Sequence, residues 1–387
     1  MPRTRKPVGR RDNGEGSIRE KPNGRFEGRI RLGDAQRSVS GTTKDEVRAK
    51  LDKLAREHAQ GIDAAAGREP LRTYLVRWIE TADLDPNTRR GYLSYARKRI
   101  VPALGHLRLD KLAVRDVRAF LAALRQTALA PASIRQIHAI LRAALNDAVR
   151  AELLPRNVAA LVRPPKVRRA PPPVITPVGA RAILTALRGD RLEALYAVAL
   201  ALGLRQGEAL GLLWECVDLD AGTLTVCRQL QRLSRAWLLK DLPKSDSGFR
   251  TVTIPSPLIA VLQRHHAAQV EEREGWRDPY PASLVFTSAL GQPLHAKYVT
   301  SHFQKRVLPK AQLGHLRFHD LRHACASLLL AQGVDMRTIM QILGHSQIGV
   351  TMNTYAHVLP ALERAAADIM GHVLYASAEN QDAPNEE

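Results

Sequence analysis

Hydrophobic and polar positions change rhythm along the chain. In "GSIREKPNGRFEGRIRLGDAQRSVSG" (16–41) three short extended runs are divided by two turn signals. One turn holds Pro22, Asn23 and Gly24, and the other Gly33 and Asp34. Helical spacing follows in "TTKDEVRAKLDKLAREHAQG", where Val47, Leu51 and Leu54 share a face. Thr42 and Thr43 are its candidate N-caps and Gly61 its stop. The pattern predicts a three-stranded sheet with one helix over residues 1–64.

From 70 to 165 the period is 3.6 throughout. "LRTYLVRWIETA", "PNTRRGYLSYARKRIVPAL", "VRDVRAFLAALRQ" and "PASIRQIHAILRAALNDAVRAELL" each carry one apolar face. Pro86 and Pro131 sit where first-turn prolines belong, so four helices are expected. "RPPKVRRAPPP" (163–173) combines proline with charge and reads as an extended linker. Residues 174–376 mix the two periods. "TPVGARAILTAL" and "RLEALYAVALALGL" are helical, "GTLTVCRQ", "RAWLLK" and "FRTVTIP" are strand-like, and helices dominate from Tyr298. The end, 377–387, is acidic, apolar-poor and expected to be disordered. The fold class expected is multidomain, mostly α with small β elements.

Charge adds a partner to this outline. The chain of 387 residues has a net charge of +20, which speaks of partners and not of fold. Residues 71–170 hold 20 Lys and Arg against 7 Asp and Glu, whereas 171–387 are nearly balanced at 21 against 20. Nucleic acid is the expected partner, and an anionic membrane surface the alternative. The basic residues to test are Arg19, Lys21, Arg25, Arg29, Arg31 and Arg37 on the strands. On the helices they are Arg89, Arg90, Arg97, Lys98, Arg99, Arg135 and Arg142. Solvated surface arginines are the bland reading of both sets. The longest apolar run, "ALYAVALALGL", falls short of the ~18 residues that span a bilayer and reads as a buried helix. Three unpaired-looking cysteines and no signal peptide predict a soluble protein of a reducing, intracellular compartment. There is no P-loop and no internal repeat.

"FHDLRHACASLLLAQG" (318–333) carries the chemistry. His319 and His323 stand four apart, as in a helical zinc site. Leu321, Ala324, Cys325, Leu328 and Leu329 form one arc, with His319, Arg322, His323 and Ala326 on the other. A permanent cation at Arg322 opposes a divalent metal, and its planar guanidinium suits a phosphate. Other phosphate-handling residues occur in order. "LGLRQGEALGL" supplies Arg205, with Glu208 one helical turn on to orient it. "LPKSDSGFRTVTIP" places Lys244 in a turn between strand-like runs, and "LGHSQIGVTMNTYAHV" supplies His345 and Tyr355.

This ordered set resembles the tyrosine recombinase family, specifically the phage-type integrases. "LGLRQGEALGLLWECVDLD" is similar to the block around the family's first arginine. In the last block His319 and Arg322 match its H-x-x-R, "LGH" supplies His345, and Tyr355 matches the nucleophile. Lys244 matches the β-hairpin lysine. Gln206 stands where the family often has Arg or another polar residue. The resemblance implies an arm-site-binding domain at 1–64, a core-binding bundle at 70–165 and a catalytic domain at 174–376. It implies DNA cleavage and rejoining through a 3′-phosphotyrosyl link, without metal, nucleotide or other cofactor. Arg205, Arg322 and His345 would hold the phosphate, Lys244 would protonate the leaving oxygen, His319 would act as base, and Glu208 would support. The implied partners are double-stranded attachment-site DNA, three further copies on that DNA, and a directionality factor or host DNA-bending protein. The implied location is the bacterial cytoplasm, with no membrane. An apolar stripe in "PALERAAADIMGHVLY" (Leu362, Ala366, Ile369, Met370) could dock in cis or on a neighbouring copy. A type IB topoisomerase-like enzyme, a non-catalytic DNA-binding regulator and a zinc hydrolase are the competing classes.

Overall fold

The computed structural model describes residues 16–33, 35–59, 66–167, 173–234, 236–242, 248–281, 283–344 and 359–375. Two compact units divide the chain, Met1–Arg169 and Ala170–Glu387.

The first unit opens with an antiparallel sheet in the order β1 (Ser17–Glu20), β2 (Phe26–Leu32), β3 (Ala35–Gly41). Its register pairs Arg19 with Glu27 and Arg29 with Ser38, so the polar parity shares one face. The other parity meets helix α1 (Lys44–Ala59) through buried Ile30, Val47 and Leu51. Contact is close enough that a Cβ on Gly28 would lie 2.5 Å from a Val47 methyl. Of the two candidate caps Thr43 is the one that acts, and Thr42 instead donates to the Glu46 carboxylate. Thr43 Oγ1 accepts from the Glu46 amide, and Glu46 Oε2 accepts from the Thr42 amide at 2.8 Å. Gly61 lies outside the described residues.

Four helical passes follow. They are α2 (Leu71–Thr81), α3 (Pro86–Tyr95) continuing into α4 (Val101–Leu104), α5 (Val114–Arg125) and α6 (Pro131–Arg150). Leu71, Leu75, Ile79, Ile100, Ile137 and Leu141 fill the core between them. Tyr74 donates to the Ala144 carbonyl at 2.9 Å, fixing α2 to α6. A π turn at Ala96–Ile100 joins α3 to α4. Pro102 has no N–H for the Lys98 carbonyl, and widening the helix accommodates that loss.

The second unit begins with α7 (Pro177–Ala186), capped by Thr176, and α8 (Glu193–Leu202), buried along nearly its whole length. After α9 (Gln206–Leu210) come β4 (Val217–Asp218), β5 (Thr223–Val226), β6 (Arg228–Leu233), β7 (Ala236–Asp241) and β8 (Arg250–Thr253). These strands depart from the sequence pattern. The single run "GTLTVCRQ" breaks at Cys227 into β5 and β6, which belong to different sheets. One sheet has the order β4-β5-β8 and the other is the β6-β7 hairpin. The chain therefore leaves one sheet before Lys244 and re-enters the other after it.

Helices complete the unit: α10 (Ser256–Arg273), α11 (Ala296–His302), α12 (Leu308–Lys310), α13 (Phe318–Ala331), α14 (Met336–Leu343) and α15 (Leu359–Tyr375). A second π turn, Phe303–Val307, links α11 to α12 and again precedes a proline, Pro309. Among the described residues no helix is long and apolar enough to cross a membrane. The expected tail at 377–387 lies outside the described residues, as does part of the linker, 168–172.

Candidate active site

Two helix ends build the site. Helix α8 stops at Gly203, which adopts φ 63°, and α14 stops at Gly344 with φ 68°. Such left-handed C-terminal residues favour glycine, and at α14 the Gly344 amide returns to the Met340 and Gln341 carbonyls, which leaves the glycine's own carbonyl turned away from the helix. Each glycine carbonyl is claimed by an arginine from elsewhere. Arg322 Nη1 donates to Gly203 O at 2.7 Å, and Arg205 Nη2 donates to Gly344 O at 2.9 Å.

Arg205 is the N-cap of α9 and remains half-exposed. Glu208, three residues on, folds back. One oxygen accepts from the Arg205 amide at 3.0 Å and the other from its guanidinium. Glu208 is only 3% exposed. Burial alone would raise its pKa, but the charges of Arg250 and Arg205 outweigh this and hold it lowered. Arg250 was not legible as a site residue. It occupies the inward parity of β8 beside Val252, and donates to Glu208 at 3.0 Å and to the Ile342 carbonyl at 2.6 Å. The one signal in the sequence was a cation at an inward strand position, which needs a buried anion.

Helix α13 carries the other half. Asp320 stands in its first turn. It is buried, accepting from the Arg317 amide at 2.7 Å and from its guanidinium at 2.8 Å, and so closes the helix N-terminus. The expected division of α13 into an apolar and a polar arc is not what is found. Arg322 is 2% exposed and Ala326 fully buried, whereas Leu328 and Leu329 are only half-buried. The helix is covered on two sides. Phe318, Leu321 and Ala324 join the core that contains α8, while Cys325, Ala326 and Leu330 pack with Ile339 and Leu343 of α14.

His319 is exposed on the first turn of α13, with its ring 4.8 Å from that of His323. Surrounding protein desolvates the His319 ring, and the charges of Arg322, Arg317 and Arg205 add to this against the opposing Asp320, so its pKa is lowered. His323 is pushed down to about 4, by desolvation first and then by His319. The structure thus brings Arg205, Glu208, His319 and Arg322 together. Lys244, His345 and Tyr355 lie outside the described residues.

The basic residues of the first unit divide. Arg25, Arg31, Arg90, Arg97, Lys98, Arg135 and Arg142 are exposed. Arg29 is half-buried and shares Glu27 with Arg19 and Lys21, at 3.2, 2.7 and 3.1 Å. Bonds from Lys21 and Arg19 pull Glu27 down to about 2. Arg89 and Arg99 are not on a fully exposed face. Both are half-buried, and Arg89 turns inward because it donates to the Ala82 carbonyl at the end of α2.

Residues 174–361 match the phage integrase family, and residues 71–125 match the phage integrase N-terminal SAM-like domain. A tyrosine recombinase XerC-like protein of Caldanaerobacter subterraneus subsp. tengcongensis is 34% identical over 200 residues, covering 49% of this chain and about half of that protein, 51%. An integrase of Saccharopolyspora erythraea is 27% identical over 435 residues, covering 95% of this chain and 97% of that one. The fold is similar to that of the Tn1549 transposon integrase in complex with a circular intermediate DNA. The TM-score is 0.65 at 21% identity, over 77% of this chain and 99% of that one. Residues 174–361 belong to the phage integrase family, and the chain is similar to integrases and tyrosine recombinases, enzymes that cut and rejoin DNA.

Proposed function

We propose that the protein integrates or excises a phage or other mobile element by site-specific recombination, with Tyr355 as the nucleophile. The phenolate attacks a scissile phosphodiester, forms a 3′-phosphotyrosyl link and expels a 5′-hydroxyl. This divides one hard step into two and retains the phosphodiester bond energy, so no nucleotide is consumed. Arg205 and Arg322 bind the non-bridging oxygens and stabilise the pentacoordinate state. His345 adds a hydrogen bond to the phosphate, and Lys244 protonates the departing oxygen. His319, held neutral by its lowered pKa, takes the proton of Tyr355. Glu208 and Arg250 fix the Arg205 guanidinium and do not react.

The observation that carries this reading is that two arginines from distant segments are each set by a helix-terminal carbonyl of the other's half, Arg322 by Gly203 and Arg205 by Gly344. Arg205 is half-exposed and meets the phosphate first. Arg322 is enclosed, so DNA engagement includes a local opening over it.

The exposed arginines of the sheet and bundle grip DNA through its phosphates, and the polar sheet face reads arm sites apart from the crossover core. The Tn1549 integrase, of the same fold, is seen with circular intermediate DNA. Recombination joins two duplexes through four strand cleavages, which calls for four copies on the DNA. In α15, Ile369, Met370, Val373 and Leu374 are 57–69% exposed and offer an apolar face for a neighbouring copy.

A suicide DNA substrate in EDTA without nucleotide tests the reading. A covalent protein–DNA adduct on a denaturing gel is expected. A strict requirement for a divalent ion in cleavage would restore the metal alternative.

A further inference from the structure

Cys216 ends the short turn after α9, and Cys227 is the residue that separates β5 from β6. Their Sγ atoms lie 2.6 Å apart. Eleven residues of chain separate them, so the approach is made by the fold and not by neighbouring positions in sequence. Both are half-exposed and line an open cleft with Trp214, Asp218, Phe249 and His266, so a small oxidant reaches them from solvent. Cys325 is buried, 3% exposed, in the packing of α13 on α14.

We propose that Cys216 and Cys227 form a reversible dithiol–disulfide pair, a site of oxidative modification by hydroperoxides. One thiolate attacks the peroxide, giving a sulfenic acid and releasing hydroxide. The second thiol attacks that sulfur and expels water. In sum, two thiols and one hydrogen peroxide give one disulfide and two waters, with both electrons drawn from the sulfurs. Burial, together with its bond to Cys227, pushes the Cys216 thiol up to about 12.

The surroundings define what the bond would hold. Arg228, beside Cys227, bridges to Glu215, beside Cys216, at 3.2 Å and to Asp241 at 2.6 Å. The Cys227 carbonyl accepts from the Leu242 amide at 2.8 Å. A disulfide therefore ties the turn after α9 to the root of the β6-β7 hairpin, where an ion pair and a backbone bond already converge. In a reducing cytoplasm the pair is open, and oxidative stress closes it.

The test uses the folded full chain, hydrogen peroxide, and maleimide labelling after denaturation. Three cysteines give three adducts in the reduced protein. Peroxide treatment is expected to leave one, on Cys325, with a mapped 216–227 cross-linked peptide and full reversal by dithiothreitol. Cys216→Ser and Cys227→Ser each abolish the cross-link, and Cys325→Ser keeps it. Circular dichroism of the three variants confirms the fold. Three adducts persisting after peroxide, sulfinic acid on either cysteine without a bridge, or intermolecular disulfides in its place would overturn the proposal.

Discussion

Arg322 and Gly203 are 119 residues apart in sequence and 2.7 Å apart in space, the guanidinium donating to the glycine carbonyl. The reverse strut, Arg205 to Gly344, joins the segment after α8 to the end of α14. Each arginine is therefore set by the helix end that belongs to the other's half of the site. A backbone carbonyl is a fixed acceptor with no rotamer to lose, so it holds a guanidinium without competing for the phosphate as a carboxylate does.

Gly203→Ala tests this strut. At φ 63° an L side chain is strained, and the new Cβ would lie 2.4 Å from Leu343 Cδ2. Leu343 is fully buried and closes α14, so it has little room to move. A loss of about 1–2 kcal/mol or more is expected from the backbone alone. Urea unfolding measures it. A variant as stable as wild type would mean that α8 ends differently from what is described.

Glu208→Gln tests the buried pair. The side chains of Arg250 and Glu208 are 7% and 3% exposed, and the substitution leaves the Arg250 cation facing a neutral amide. Breaking a buried pair from one side costs about 3–5 kcal/mol. A double-mutant cycle with Arg250→Met isolates the interaction. If Glu208→Gln alone changes stability by less than about 1 kcal/mol, water or a local rearrangement compensates for the lost charge.

Much of this was legible in the sequence, and the limits have physical causes. First-turn prolines, an apolar run too short for a membrane and period-2 segments between turn residues announce helices and strands through local sterics and burial. The Arg205–Glu208 pair was also legible, because three residues on a helix are one turn. Arg250 was not, because its partner lies 42 residues away, and the inward parity of a strand arginine says that an anion is buried near it but not which one. Burial of Arg322 was missed for a related reason. A helical wheel describes one helix against one surface, and α13 is covered by α8 and α14 on different sides. The break at Cys227 escaped because period-2 alternation continues across it while the hydrogen-bonding partner changes from β8 to β7.

Stability should fall on mild acidification because of His323. Its pKa is about 4 in the folded protein and an ordinary 6.5 when unfolded. The unfolded chain therefore binds the proton first as pH drops. The stabilisation from keeping this ring neutral is complete above pH 6.5, declines between 6.5 and 4, and is absent below. His319, also lowered, acts in the same direction. Urea midpoints measured from pH 7.5 to 4.5 should decline in wild type and less steeply in His323→Gln. An equal slope in both would assign the titration elsewhere.

Tyr355→Phe is the decisive variant for the chemistry. It removes one oxygen and no charge, so binding of attachment-site DNA should match wild type at each salt concentration, while the covalent adduct is lost. Binding by both should weaken with salt, because basic contacts displace counterions. Arg205→Ala changes a different quantity. It removes a donor that strengthens as charge builds on the phosphate, and a loss of about 10²–10³ in cleavage rate is expected from one such donor. It also withdraws the cation nearest Glu208, so its unfolding must be measured beside its rate. The two defects should separate on a suicide substrate: slow adduct formation with Arg205→Ala, and none at any time with Tyr355→Phe. An adduct of normal yield from Tyr355→Phe would move the nucleophile to another tyrosine. Tyr298, 55% exposed next to the buried core of α11, and Tyr375 at the end of α15 are the ones to substitute next.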